Sequence, residues 1–157
     1  MKSPSIKSLI ETFGVVAIIV SLLFLGYESK RANDIAEAEA TSTVYQAGND
    51  FLLAVITDQN IRQILRKTFV DESDSLTDDE RMLFTSMTTY VYNIHEVAWK
   101  YNQKGLISDE DLTVGVAELC VWINGNPYGA KDWARRRDIV LSGFYEDVSR
   151  ECKLTDE

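Results

Sequence analysis

His95 is the only histidine in the chain, and the residues around it decide which reactions it can serve. In "NIHEVAW" it is followed by Glu96, but adjacent helical residues diverge by about 100 degrees and form no chelating pair. A di-iron Glu-x-x-His pair needs a carboxylate three residues earlier, where Tyr92 stands, and an HExxH zinc site needs a second histidine where Trp99 stands. His95 therefore reads as a structural residue. Cys120 and Cys152 form neither a CxxC motif nor a metal knuckle and are expected as buried free thiols. The acidic run from Asp71 to Glu80 invites a calcium-loop reading, yet a register starting at Asp71 puts Leu76 at the turn that requires glycine and Met82 at the bidentate glutamate. No catalytic, cofactor-binding or metal-ligating residue is expected, and no cofactor.

The most suggestive polar cluster is "WARRR". Trp133, Arg136 and Arg137 recur at three and four residues, a spacing that sets an aromatic plane beside two guanidinium groups and suits carboxylates or anionic headgroups. The competing reading has the arginines pairing with nearby acids while Trp133 packs into the core. With Trp99 and Trp122 these residues make up the candidate ligand or partner surface: Trp99, Trp122, Trp133, Arg136 and Arg137.

Those residues must be held by helices. The stretch "GVVAIIVSLLFLGY" at 14–27 carries no charge and no proline, and residues 9–27 span about 28 Å at roughly 1.5 Å per residue, enough to cross a bilayer. "ESKRAND" follows, and no small-x-small site lies close enough for cleavage of an export signal. The expected organisation is a tail at 1–8, a transmembrane helix at 9–27 and a helical soluble domain at 28–157. Lys2 and Lys7 on one side balance Lys30 and Arg31 on the other, so charge does not orient the anchor.

The soluble part reads as helix throughout. Ile35, Ala38, Ser42, Tyr45, Asn49, Leu52 and Ile56 alternate spacings of three and four and predict a helix that leaves the membrane and turns this face to the core. A short helix at Gln59–Thr68 follows, then a capping box at Thr77 and Glu80, and a long helix with Leu83, Met87, Tyr90, Ile94, Val97 and Tyr101 on its apolar face. "KGL" at 104–106 ends that helix, Ser108 caps the next, and Leu112, Val116, Leu119 and Ile123 form its stripe. "NGNPYG" turns the chain toward two short helices, the second capped by Ser142 with Phe144, Val148 and Cys152 on one side. The fold class is all-α: a single transmembrane helix continuing into a small bundle of about four to five helices.

The order of membrane run, "SLTDDER" cap, "YVYNIHEVAWKYNQKGLI" helix, "SDEDL", "WARRRDI" and "SGFYEDV" resembles a widespread group of uncharacterised bacterial membrane-anchored helical proteins. The resemblance spans nearly the whole chain and implies a single-pass protein of the bacterial inner membrane with its soluble domain on the cytoplasmic side. It implies no reaction or ligand.

Function is bounded by charge and by missing motifs. Sixteen Lys plus Arg against twenty-five Asp plus Glu give a formal charge of −9 over 157 residues, which argues against nucleic acid, where cations must displace counterions from phosphates. The chain lacks a nucleophile elbow, a phosphate loop and a dinucleotide fingerprint, so an enzyme is not expected. Two classes remain: a membrane-tethered interaction or accessory module, partnered by the bilayer through residues 9–27 and by another membrane-proximal protein or a second copy; and a sensory domain with an aromatic, arginine-lined pocket for a small molecule.

Overall fold

The structure, a computed structural model, describes residues 6–70, 76–126 and 128–154. These residues form six helices and no strand: α1 (Ile6–Thr57), α2 (Gln59–Phe69), α3 (Asp78–Gln103), α4 (Asp109–Asn124), α5 (Gly129–Ala134) and α6 (Ser142–Glu151). The calcium-loop reading falls largely on residues 71–75, and most of the expected N-terminal tail on 1–5; both lie outside the described residues.

The chain divides into two compact units, residues 1–38 and 39–157. The described residues of the first, from Ile6 on, are the leading part of α1. Its apolar side chains from Phe13 to Tyr27 are exposed, and the helix is long and apolar enough to cross a membrane. Ser21 returns its hydroxyl to the carbonyl of Ala17 at 2.8 Å, which satisfies the one polar group in the middle of that run.

The second unit is a bundle closed around Trp133. The Trp133 indole is buried, edge-on to Tyr92 of α3 at 5.2 Å and to Phe144 of α6 at 5.8 Å, and stacked on Tyr145 with planes 7° apart. Its N–H donates to Ser149 Oγ at 3.0 Å, so the ring is buried without an orphaned donor. Val116, Leu119 and Ile123 of α4 complete this core with Phe144 and Val148, as their spacing predicts. A smaller cluster of Ile64, Leu76 and Phe84 seats α2 against α3. Asp58 caps α2 by accepting from the backbone of Asn60 and Ile61, and Lys67 pairs with Glu80 at 2.6 Å.

Two apolar faces differ from the expected ones. On α1 the predicted core stripe of Ser42, Tyr45, Asn49, Leu52 and Ile56 is exposed, while Ala40 is buried and Val44 and Phe51 are half-buried. Ala40 meets Ala98 and Ile107. Small side chains let two helix backbones approach closely, so α1 docks here by its alanine, and the large apolar residue that also docks is Phe51, which lies off the predicted stripe. On α3 the buried arc is Phe84, Met87, Thr88, Val91, Tyr92 and Ala98, and Tyr90 is 40% exposed. Tyr92 is drawn inward by Trp133, and Thr88 by a hydrogen bond to Asp132 at 3.1 Å.

Local signals at helix ends are obeyed more closely. Thr77 and Glu80 form the reciprocal capping box at the start of α3. At its end Gly105 has φ +70°, with Gly105 N–H on the Asn102 carbonyl at 2.8 Å and Leu106 N–H on the Tyr101 carbonyl at 2.9 Å, the two bonds of a Schellman motif. Gly129, the first residue of α5, lies so close to the carbonyls of Trp122 and Ile123 that a Cβ there would collide with their oxygens. Ser142 does not cap α6: Leu141 holds that position, no side chain supplies the cap bond, and Ser142 is already the first helical residue.

Cys120 and Cys152 are not free thiols. They form a disulfide with Cα atoms 5.1 Å apart, because packing of Phe144 and Val148 on Leu119 and Ile123 carries the end of α6 onto α4. Asn124 Nδ2 donates to the Cys152 carbonyl at 3.1 Å beside the link. Spacing along the chain carries no information about this approach between two helices.

Gly105→Val is expected to lower the unfolding midpoint of the full chain, by more than the ~1 kcal/mol typical of left-handed strain, because a β-branched side chain crowds its own backbone there. Chemical denaturation measures this; an unchanged midpoint would mean that α3 ends in another way.

Candidate functional site

Where α1 passes α3 and α4, within residues 39–157, it leaves a groove of about 400 Å³. The opening follows from how α1 is held. Ala40 fixes it at one place, and Phe51 fixes it again by stacking on Tyr90 at 5.9 Å and meeting Trp122 edge-on at 5.7 Å. Between these contacts Gly48 has no side chain, and a Cβ built there would touch nothing within 4 Å. On the opposite wall Gly115 of α4 likewise leaves room, with the His95 ring as the nearest group to its missing Cβ at 3.4 Å.

The wall is apolar over most of its area. Val44 and Leu52 come from α1, Ile94 and Ala98 from α3, Leu112 and Val116 from α4. Asp111, Gly115, Glu118 and Trp122, spaced by four, three and four, share the α4 face that turns to the groove. Exposed apolar side chains flank the opening: Tyr45 is 61% and Val114 59% exposed.

His95 is half-buried in this wall. Its Nδ1 lies 2.7 Å from the Val91 carbonyl and donates to it. Burial holds the imidazole below its ordinary pKa, against the opposing pull of the Val91 carbonyl, Glu118 and the Gly115 carbonyl. Among the described residues no group of His, Cys, Asp or Glu is placed to hold a metal ion.

The five residues singled out in the sequence do not converge. Trp133 is core. Arg136 is buried too: its Nε reaches Asp132 Oδ2 at 3.3 Å, it donates to Thr89 Oγ1, and its guanidinium carbon lies 4.7 Å from the centre of the Tyr92 ring. Burial raises the Tyr92 phenol pKa, aided by Asp132 and opposed by Arg136. Arg137 is exposed and lies by Asp138, Tyr145 and Glu146. The reason is that α5 stops at Ala134, so the turn that follows sends the two arginines to different surroundings. Trp99 donates its indole N–H to Asp147 at 2.9 Å, the main cause of that carboxyl's lowered pKa, which burial opposes and Arg150 assists. Trp122 alone of the five lines the groove. Sequence reasoning missed Tyr45, Gly48, Asp111 and Glu118 as site residues; the four-three-four spacing on α4 was the signal available for the last two.

Comparison with protein families, curated proteins and solved structures finds no match for this chain.

Because the folded imidazole accepts a proton less readily than the unfolded one, His95 contributes a stability that is present above the ordinary imidazole pKa and lost as pH falls toward its depressed folded value. Denaturation of wild type and His95→Gln between about pH 7 and about pH 5 is expected to show the larger loss in wild type. Equal losses would mean that the ring protonates as readily in the fold as out of it.

Proposed function

We propose that this chain is a membrane-tethered helical binding module, anchored by residues 9–27, whose recognition site is the groove between α1, α3 and α4. The observation that carries this reading is the contrast between a core closed around Trp133 and an open, mostly apolar groove of about 400 Å³ in the same domain. That volume lies in the range of small-molecule sites. It favours the sensory class over a protein-docking module, although the arginine-lined pocket expected for that class is replaced by one whose charged lining residues are acidic.

In this proposal the folded domain faces an oxidising compartment outside the cytoplasmic membrane. The Cys120–Cys152 disulfide supports that side, because cytosolic reductants keep most thiols reduced. The balanced lysines and arginines flanking the anchor are compatible with either direction. This reverses the side that the family resemblance implies.

Two experiments test the two halves. A photo-crosslinking amino acid at Val114, on the groove rim, is expected to capture a small molecule in native membranes, whereas the same residue at exposed Met82 is not; capture of protein alone at Val114 would instead support an interaction module. Acid-quenched cells treated with a maleimide mass tag are expected to show modification of Cys120 and Cys152 only after reduction. Both thiols labelled without reductant would place the domain in the cytoplasm.

A further inference from the structure

The charges of the groove define what it accepts. Asp111 and Glu118 line it, no lysine or arginine does among the described residues, and the rings of Tyr45, Phe51 and Trp122 form part of its wall. Both carboxylates are solvent-exposed at the rim, where they make the potential at the mouth of the groove negative and draw a cation toward it, and aromatic faces attract that cation through their quadrupole. The same set disfavours an anion twice over. His95 adds no positive charge near neutral pH, since burial holds the ring below its ordinary pKa despite the opposing pull of the Val91 carbonyl.

We propose that the groove binds a free apolar organic cation, an amine or quaternary ammonium, with its hydrocarbon body against Val44, Ile94 and Leu112 and its charged head toward Asp111 and Glu118 of α4. This rests on the groove being the binding site. A lipid headgroup is a poorer occupant, because a phosphocholine or phosphoethanolamine carries a phosphate next to its ammonium and sets that anion against the same two carboxylates. A second copy of the chain is poorer too, since each copy has a formal charge of −9 and brings acid to an acidic rim.

The test uses the full chain in phosphatidylcholine nanodiscs, with empty nanodiscs as background. The probe is dansylcadaverine, an environment-sensitive fluorophore on an alkylamine tail, and its control is dansyl-aminohexanoate, which carries the same fluorophore on a carboxylate tail. Trp122 in the wall serves as energy-transfer donor. The amine probe is expected to give saturable transfer and to bind at least about tenfold more tightly than the carboxylate, roughly 1.4 kcal/mol. Asp111→Asn with Glu118→Gln is expected to remove most of that preference. Gly48→Leu is expected to fill the groove and abolish binding of the amine while leaving the unfolding midpoint at or above that of wild type, because leucine replaces glycine inside a helix where nothing obstructs its Cβ.

Equal binding of both probes, blocked by Gly48→Leu, would overturn the cation and leave the groove as the binding site. Dodecylphosphocholine below its micellar concentration competing on equal terms with the amine would overturn the choice of a free amine over a lipid headgroup. Absence of saturable transfer from either probe, or binding untouched by Gly48→Leu, would overturn both the cation and the groove.

Discussion

Burial of the Trp133 indole between α3 and α6 is the contact on which the folded domain depends. Three aromatic rings from two helices meet around it, and its single polar atom is satisfied by Ser149. Drawing Phe144 and Val148 of α6 onto α4 brings Cys152 within reach of Cys120. The disulfide then closes a loop that, in the chain-entropy view, contributes about 2–4 kcal/mol by restricting the unfolded chain. Arg136 follows from the same placement. Once α5 is tucked under Tyr92, the arginine and Asp132 are carried inside together, and each satisfies the other in a setting where a lone charge would cost several kcal/mol. A residue type suited to anion recognition is thereby committed to structure.

A core completed by α3 to α6 has little further need of α1. That helix has an apolar N-terminal run suited to lipid, and in residues 39–57 it touches the bundle through Ala40, Val44 and Phe51 while its other apolar face stays in solvent. Thin docking between two fixed points, with glycines at 48 and 115 facing the gap, produces a groove without a dedicated loop or a second domain. Helices set its walls, so its shape is more rigid than a loop-built site of the same size would be.

What the sequence made legible was local. Thr77 with Glu80, Ser108, and Gly105 with Leu106 each signal a helix end through bonds within a few residues, and each holds in the structure. The stripes of α4 and α6 were legible because those short helices bury one narrow face. The stripes of α1 and α3 were not, for opposite reasons: α1 carries apolar residues nearly all round and docks by Ala40, Val44 and Phe51, none of them in the predicted stripe, while α3 is covered on two sides and its buried arc takes in polar Thr88. Spacing of three and four says that residues share a face; it does not say which face finds a neighbour. The disulfide, the dispersal of Trp133, Arg136 and Arg137, and the assembly of the groove all depend on how helices far apart in the chain cross, which periodicity does not encode.

The groove is a preformed, open feature of the resting protein, held by Ala40 on one side and Phe51 on the other. Pulsed electron–electron distance measurement between spin labels at Asn49 and Val114, in the full chain with its native disulfide and in a bilayer, tests it most directly. A single narrow distance population across the groove, unchanged when the label positions are moved to Tyr45 and Val114 apart from the expected offset, is the result this structure predicts. A broad distribution, or one collapsed to helix contact, would contradict it by showing that α1 either leaves the bundle or closes onto α4.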